Sequence, residues 1–402
     1  LENNIGTIVR KIRNDKKISA KQLAYLSNYS SSYICDIEKK RKVGTIETYI
    51  NLFEALGFDY KRFIADNEKI LGNVNDIVKK ILFMELSSLE NKIRNIELIQ
   101  LIYKHTLYDD EIVILKMILK YINGIKVNDE ELKEAFYLLN SIENVNLVSL
   151  FQLYYFDYIN ESNLYPIELE NKLLMMTKKA ISKSIQGMIY YKLAEILEKK
   201  KIYSAALEYS NLSKKIFVEE INMNRLYVTE LHTGNIYVRI NDIDKAVKIF
   251  LKLINDRKVQ IIKPIYSSAI NNLIWTYFIY EEYIKTIEYI NKYRSMVVIN
   301  NQYFMLLWSY LQLEETEKCY KVIQEIVKCK IIVSERLDIL VNIIQNIKDE
   351  NLELKINNYF NNLIEKDDVH SKVIGLRIIV FYYESLHKYK NALKYSKILN
   401  SF

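Results

Sequence analysis

The residues best suited to chemistry lie near the N-terminus, in "SSSYICDIEKKRK" from Ser30 to Lys42. Short hydroxyls at Ser30, Ser31 and Ser32 can donate to or accept from nucleic-acid base edges and phosphates, and they let a helix approach closely. The run Lys39, Lys40, Arg41, Lys42 can reach phosphates and adds affinity without reading sequence. Residues 1–62 hold twelve Lys/Arg against seven Asp/Glu, +5 of the chain's +7, leaving +2 for the other 340 residues. A small basic module on a nearly neutral body points to a polyanion, most often nucleic acid. The candidate DNA-contacting residues are Lys21, Ser30, Ser31, Ser32, Tyr33, Asp36, Lys39, Arg41 and Lys42.

Short helices must position them. Ile5, Ile8, Val9 and Ile12 recur at helical spacing, with Arg10, Lys11 and Arg13 facing away. Ser19 is suited to cap a second helix carrying Leu23, Ala24 and Leu26. Asn28 can take the left-handed conformation of a tight turn. Ser30 then caps a third helix with Tyr33, Ile34 and Ile37 inward. Thr45 caps a fourth with Ile46, Tyr49, Ile50, Phe53 and Leu56 inside, ended by Gly57. Phe58, Tyr60 and Phe63 close the bundle. Two short helices joined by a tight turn make a helix-turn-helix, whose second helix enters the major groove.

Over residues 5–63 the chain resembles the Cro/repressor-type helix-turn-helix family. The resemblance is carried by "IRNDKKIS", "QLAYLSNYSSSYICDIEKKRK" and "TIETYINLFEALGFD". It departs at Ala20 (usually a phosphate-binding glutamine), Asn28 (a turn glycine), Lys40 (a glycine) and Asp36 (a cation in mid recognition helix). The resemblance implies that Glu38 ties to an arginine of the first helix, Arg10 or Arg13.

The rest of the chain is read as all-α. Two prolines and eight glycines in 402 residues are too few for sheet turns or glycine-rich phosphate loops. "LHTGNIYVRINDIDKAVKIF" fits a tetratricopeptide (TPR) repeat, with Gly234, Tyr237, Ala246 and Phe250 at the eighth, eleventh, twentieth and twenty-fourth positions. Ala194, Leu197 and Ala206 align with it, as do Ile274, Tyr277 and Thr286. Leu307, Tyr310 and Cys319, then Val380, Tyr383 and Ala392, are weaker copies. Stretch 75–165 is helical but has no assignable register. The expected architecture is a five-helix helix-turn-helix DNA-binding domain at 1–64, a linker at 65–76 and a TPR-like α-solenoid at 77–402.

In TPR arrays the fifth and ninth positions of each first helix are among those lining a concave face. The fifth positions are Tyr191, Leu231, Asn271, Phe304 and Arg377; the ninth are Glu195, Asn235, Trp275, Trp308 and Phe381. Both tryptophans fall on that face. Aromatic anchors with asparagine and arginine between them suit an extended peptide. The candidate peptide-binding residues are Tyr191, Glu195, Asn235, Asn271, Trp275, Trp308, Arg377 and Phe381.

A repressor-type head on a long TPR body resembles the Rgg-like and PlcR-like peptide-pheromone-responsive regulators of Gram-positive bacteria. The resemblance implies a cytoplasmic homodimer that binds double-stranded DNA at a palindromic operator and takes a short signalling peptide. Two other classes stay open. In one, a DNA-binding regulator uses its repeats to bind a protein; in the other, a TPR scaffold or phosphatase regulator has a head that does not bind DNA. Residues Lys39 to Lys42 speak against the last. An enzyme is not expected, since there is no P-loop, HExxH or His/Cys/Asp constellation. No cofactor or metal is expected either: Cys35, Cys319 and Cys329 form no CxxC pair and the four histidines lie far apart. The charged stretch Arg10 to Lys17 is unlike a secretory leader. No apolar run approaches the ~20 residues of a membrane span, so a cytoplasmic location is expected.

Overall fold

The computed structural model describes residues 2–86, 89–160, 167–178, 181–364 and 369–400. Leu1 and Phe402, the outer limits of the two expected domains, lie outside them. Among the described residues the chain forms 23 α-helices and no strand. It divides into two compact units, residues 1–226 and 227–402.

Unit 1 begins with α1 (Glu2–Asp15), α2 (Ala20–Ser27), α3 (Ser31–Glu38), α4 (Ile46–Ala55) and α5 (Tyr60–Leu82). The starts of α2 to α5 are fixed locally. Ser19, Ser30, Thr45 and Asp59 accept hydrogen bonds from backbone N–H groups three residues on. Gln22 reaches back to complete a capping box with Ser19. Asn28 is left-handed, with φ 59°, and Gly57 has φ 79°. Ile5, Ile8, Val9, Ile12, Leu23, Ile34, Ile37, Tyr49, Phe53, Leu56 and Phe63 are buried together, as their spacing predicts. Two positions differ. Leu26 is 54% exposed and Ile46 65% exposed. The two turns of α2 bury Leu23, Ala24 and Ser27 instead, and the Ser27 hydroxyl donates to Leu23 O at 2.6 Å. Ile46 sits at the first position of α4, ahead of the packed turns that bury Leu52.

Gly6 holds α1 against α3. A Cβ at Gly6 would stand 2.2 Å from Ile37 O and 2.8 Å from its carbonyl carbon. Backbone cannot yield as a side chain would. Gly6→Ala is therefore expected to push α3 away and destabilise the head by at least about 1–3 kcal/mol. Amide exchange in α1–α4 measures this; unchanged protection there would show that the two helices can separate freely.

The linker expected at 65–76 is instead the middle of α5. Glycine and three asparagines make the stretch look like a loop, but Ile70, Val74, Ile77 and Ile81 keep helical spacing and are all buried. One exposed helical glycine, Gly72, costs only about 1 kcal/mol against that burial. The C-terminal end of α5 is held by the chain ahead of Leu226. Asn222 donates to Leu82 O at 3.0 Å, Asn224 to Phe83 O at 2.9 Å, and Arg225 to Leu82 O and Ile81 O at 3.1 and 3.0 Å. These groups satisfy carbonyls that a helix end leaves unpaired, and the cation suits the negative end of the dipole.

The unit continues with α6 (Leu89–Tyr103), α7 (Asp109–Ile122), α8 (Asp129–Leu138), α9 (Val145–Asn160), α10 (Ile167–Met176), α11 (Lys183–Lys199) and α12 (Tyr203–Glu219), and α13 (Met223–Arg239) starts within it. The α6–α7 connection grips the head. Tyr103 OH donates to Asp66 at 2.8 Å, Leu107 N donates to Asn67 Oδ1 at 2.7 Å, and His105 and Lys104 each meet Asp15 at 2.8 Å. Burial and the Asp66 carboxylate push the Tyr103 phenol up to about 12.

Unit 2 contains α14 (Ile243–Asn255), α15 (Arg257–Ile261), α16 (Lys263–Ile279), α17 (Tyr283–Lys292), α18 (Ile299–Gln312), α19 (Thr316–Lys328), α20 (Glu335–Asn346), α21 (Glu350–Ile364), α22 (Val369–Ser385) and α23 (Tyr389–Leu399). Its helical hairpins repeat one set of contacts. The small residues expected at helix crossings, Ala246, Thr286, Cys319 and Ala392, are buried. A Cβ on Gly234 would meet Phe250 at 2.5 Å, which explains the glycine and the aromatic together. Lys245, Lys285 and Lys318 cover the rings of Tyr237, Tyr277 and Tyr310 at 5.2, 5.3 and 5.4 Å, always eight residues apart. The second residue past each first helix (Asn241, Glu281, Glu314, His387) is left-handed, with φ of 56–64°. None is glycine, so these turns leave little trace in the sequence.

Candidate functional site

Helices α2 and α3, with the turn between them, present part of the expected DNA-contacting set and use the rest internally. Ser32, Lys39, Arg41, Lys42 and Lys21 are exposed, and Ser31 is half-buried. The Ser30 hydroxyl accepts from Tyr33 N–H at 3.1 Å, as the cap of α3. Tyr33 is half-buried, with its ring 5.5 Å from Tyr29 and its hydroxyl 3.5 Å from Thr48 Oγ1. Lys40 is left-handed, with φ 60°, and donates to Asn4 Oδ1 at 2.6 Å. It therefore ties the end of α3 to α1, while its neighbours remain available. Asp36 lies 3.9 Å from Arg41 Nη1 and 3.8 Å from Lys42 Nζ.

Behind this surface, Glu38 is buried and pairs with Arg13 rather than Arg10. Arg13 Nε donates to Oε1 at 2.6 Å, and Nη2 to Oε2 at 2.9 Å. Nη1 of the same guanidinium donates to Ile18 O at 2.8 Å, so one side chain joins α1, α3 and the lead into α2. The hydrogen bond to Glu38 holds the guanidinium above its ordinary value.

Of the candidate peptide-binding residues, Tyr191 and Glu195 belong to unit 1. They lie on α11 around Lys192, which pairs with both Asp157 of α9 and Glu195. Burial works against the Lys192 charge, but Glu195 and Asp157 carry its pKa above the ordinary value. Burial, helped by Glu195, drives the Tyr191 phenol well up. Asp157 and Lys192 had no signal in the repeat pattern, because the pair forms only when α9 packs on α11.

The other six belong to unit 2. Asn235 on α13 accepts from Asn272 Nδ2 at 2.7 Å. Both are half-buried, and no other described residue bonds to the Asn235 amide nitrogen or the Asn272 amide oxygen. Asn271 is one position away, and its Nδ2 is spent on Ser267 O at 2.7 Å and Met296 O at 2.9 Å. Trp275 is half-buried, with the Arg336 guanidinium 5.9 Å from its ring; the same group lies 4.2 Å over Phe304 and donates to Asn301. Trp308 is only 4% exposed. It packs edge-on to Phe381 at 6.0 Å and stacks on Phe304 at 6.4 Å, so its ring builds the wall. Arg377 pairs with Glu281 at 3.0 Å and donates to Ile279 O at 3.4 Å. Asn272 and Arg336 carry no signal in the repeat pattern, because their partners lie on other repeats.

Among the described residues no group of three or more His, Cys, Asp or Glu could hold a metal, and no helix is long and apolar enough to cross a membrane. No protein-family model and no curated protein matches the sequence. Solved structures do. The apo form of the quorum sensor NprR from B. thuringiensis superposes with a TM-score of 0.58, covering 83% of this chain and 98% of that one at 14% identity. The apo form of ComR from S. thermophilus covers 74% of this chain and 96% of that one at 13% identity, with a TM-score of 0.33. The SHP pheromone receptor Rgg2 from Streptococcus dysgalactiae covers 73% and 100% at 16% identity, with a TM-score of 0.28. The likeness to NprR establishes the fold: this chain is an all-α protein with the TPR-like helical architecture of that sensor.

Proposed function

We propose that the protein is a cytoplasmic, peptide-responsive transcriptional regulator of the Rgg-like and PlcR-like kind. Head residues 1–64 bind double-stranded DNA as part of a homodimer, and a repeat domain within 77–402 binds a short signalling peptide. The observation that carries the peptide reading is the Asn235–Asn272 pair. One amide–amide bond leaves a donor, Asn235 Nδ2, beside an acceptor, Asn272 Oδ1. That combination answers the C=O and N–H of an extended peptide backbone whatever its side chains. Trp275, three residues after Asn272 on α16, and Phe381 elsewhere in the same unit offer apolar contact, and NprR, which shares the fold, is a quorum sensor. DNA binding is supported by the capped helix-turn-helix and its exposed cations.

Peptide binding shifts DNA affinity only as far as it favours one dimer geometry, usually about 1–3 kcal/mol of coupling. The test is calorimetry on full-length protein with short linear peptides recovered from a synthetic library. Asn272→Ala is expected to weaken a recovered peptide roughly 10-fold or more, the cost of a backbone group left unpaired. Asn271→Ala is expected to act mainly on stability, since its amide is already spent within the chain. A recovered peptide that binds both Asn235→Ala and Asn272→Ala as tightly as the parent would remove the clamp, and a library that yields no binder would remove the peptide reading.

A further inference from the structure

The exposed face of α3 carries a single acid. Ser32, Asp36 and Lys39 follow the i, i+4, i+7 spacing of one helical stripe, while Ile34, Ile37 and Glu38 are buried on the other side. Glu38 is used by Arg13. The Asp36 side chain is 25% exposed, and its two cationic neighbours stand at 3.8 and 3.9 Å. Those distances compensate charge but exceed hydrogen-bond length. No described residue donates a hydrogen bond to its carboxylate oxygens, so an acceptor-only group with unused capacity sits in the middle of the helix that would enter the groove.

A carboxylate brought against a polyanion is repelled unless it meets a donor. Phosphates, guanine O6 and N7, and thymine O4 offer only acceptors. The major groove supplies two amino donors, cytosine N4 and adenine N6. Adenine places its N7 acceptor beside N6, facing the second carboxylate oxygen; cytosine does not. We propose that Asp36 is a specificity-determining residue that accepts from cytosine N4, and that Arg41 and Lys42 shield its charge from the flanking phosphates. The inference rests on the DNA-binding reading above and adds to it which base is read.

The test is selection from a random duplex pool with the full-length protein and with Asp36→Asn and Asp36→Ala, each checked for folding by circular dichroism. The parent is expected to enrich one cytosine per half-site with roughly 10-fold preference. Asp36→Asn should move that one position to adenine, whose N6 and N7 match an amide, and Asp36→Ala should flatten it, with all other positions unchanged. An enriched motif that is the same for parent and both variants overturns the inference, including the case where Asp36→Ala binds every duplex more tightly. Loss of all binding by both folded variants also overturns it, because one base contact does not carry the whole affinity. No enrichment by the parent would instead overturn the DNA-binding reading itself.

Discussion

Glu38→Ala is expected to destabilise the head by about 3–5 kcal/mol, the cost of leaving one member of a buried ion pair alone. Arg13 and Glu38 are only 12% and 4% exposed, and they meet through two parallel hydrogen bonds. An arginine cannot escape by losing its proton, since the guanidinium stays protonated in any protein setting. Without Glu38 the guanidinium keeps only Ile18 O, so it must either remain buried and charged or pull α1 away from α3. The consequence should be local. Amide exchange should accelerate across α1–α4 and stay unchanged in α16–α19, and DNA affinity should fall with it. Replacing both partners by apolar residues, Arg13→Met with Glu38→Leu, should restore much of the protection, since no charge is then stranded. If Glu38→Ala leaves exchange in α3 at the parental rate, the pair does not hold the head together.

The largest effect on binding is expected from Lys39→Ala, Arg41→Ala and Lys42→Ala combined. All three side chains are exposed at the end of α3. If each meets one phosphate, their loss should lower affinity for every duplex alike, by roughly 10²-fold at physiological salt, since charge-assisted bonds contribute about 1.5–3 kcal/mol each before screening. The salt dependence is the sharper readout. The slope of log K against log salt should flatten by about 0.9 per lost contact. Lys40→Ala makes the control, because Lys40 is turned back onto Asn4; it should leave the slope unchanged. Fluorescence anisotropy over a salt series decides the matter, and a triple variant with the parental slope would place the phosphate contacts elsewhere on the head.

The short helices of the N-terminal bundle and their turn were legible because their determinants are short-range. Ser19, Ser30, Thr45 and Asp59 each bond a backbone N–H three residues away, and Asn28 sets its own left-handed turn. Such contacts exist whenever the local backbone does, so residue type and spacing announce them. The buried small residues of the repeats were legible for a related reason: Gly234 with Phe250, and Ala246, Thr286 and Cys319, recur with the period of the hairpin itself.

Where helices cross, residue type alone leaves choices open. Arg10 and Arg13 are equally plausible partners for Glu38 in the sequence, and the packing of α1 on α3 brings in Arg13 and buries it. Asn271 and Asn272 are neighbours in the chain but about 100° apart around α16; one is spent on Ser267 and Met296, and the other faces Asn235. Residues 65–76 read as a linker until burial of Ile70, Val74 and Ile77 makes them one helix with the end of the head, held from 140 or more residues away by Asn222, Asn224 and Arg225. Trp308 carries the pattern of a groove-lining ring, but Phe304 and Phe381 close over it. Local dihedral preferences and caps act over three or four residues and are therefore written in the order of the amino acids. Helix-to-helix contacts depend on crossing angles and rotations, which exist only once several faces are buried against one another at the same time.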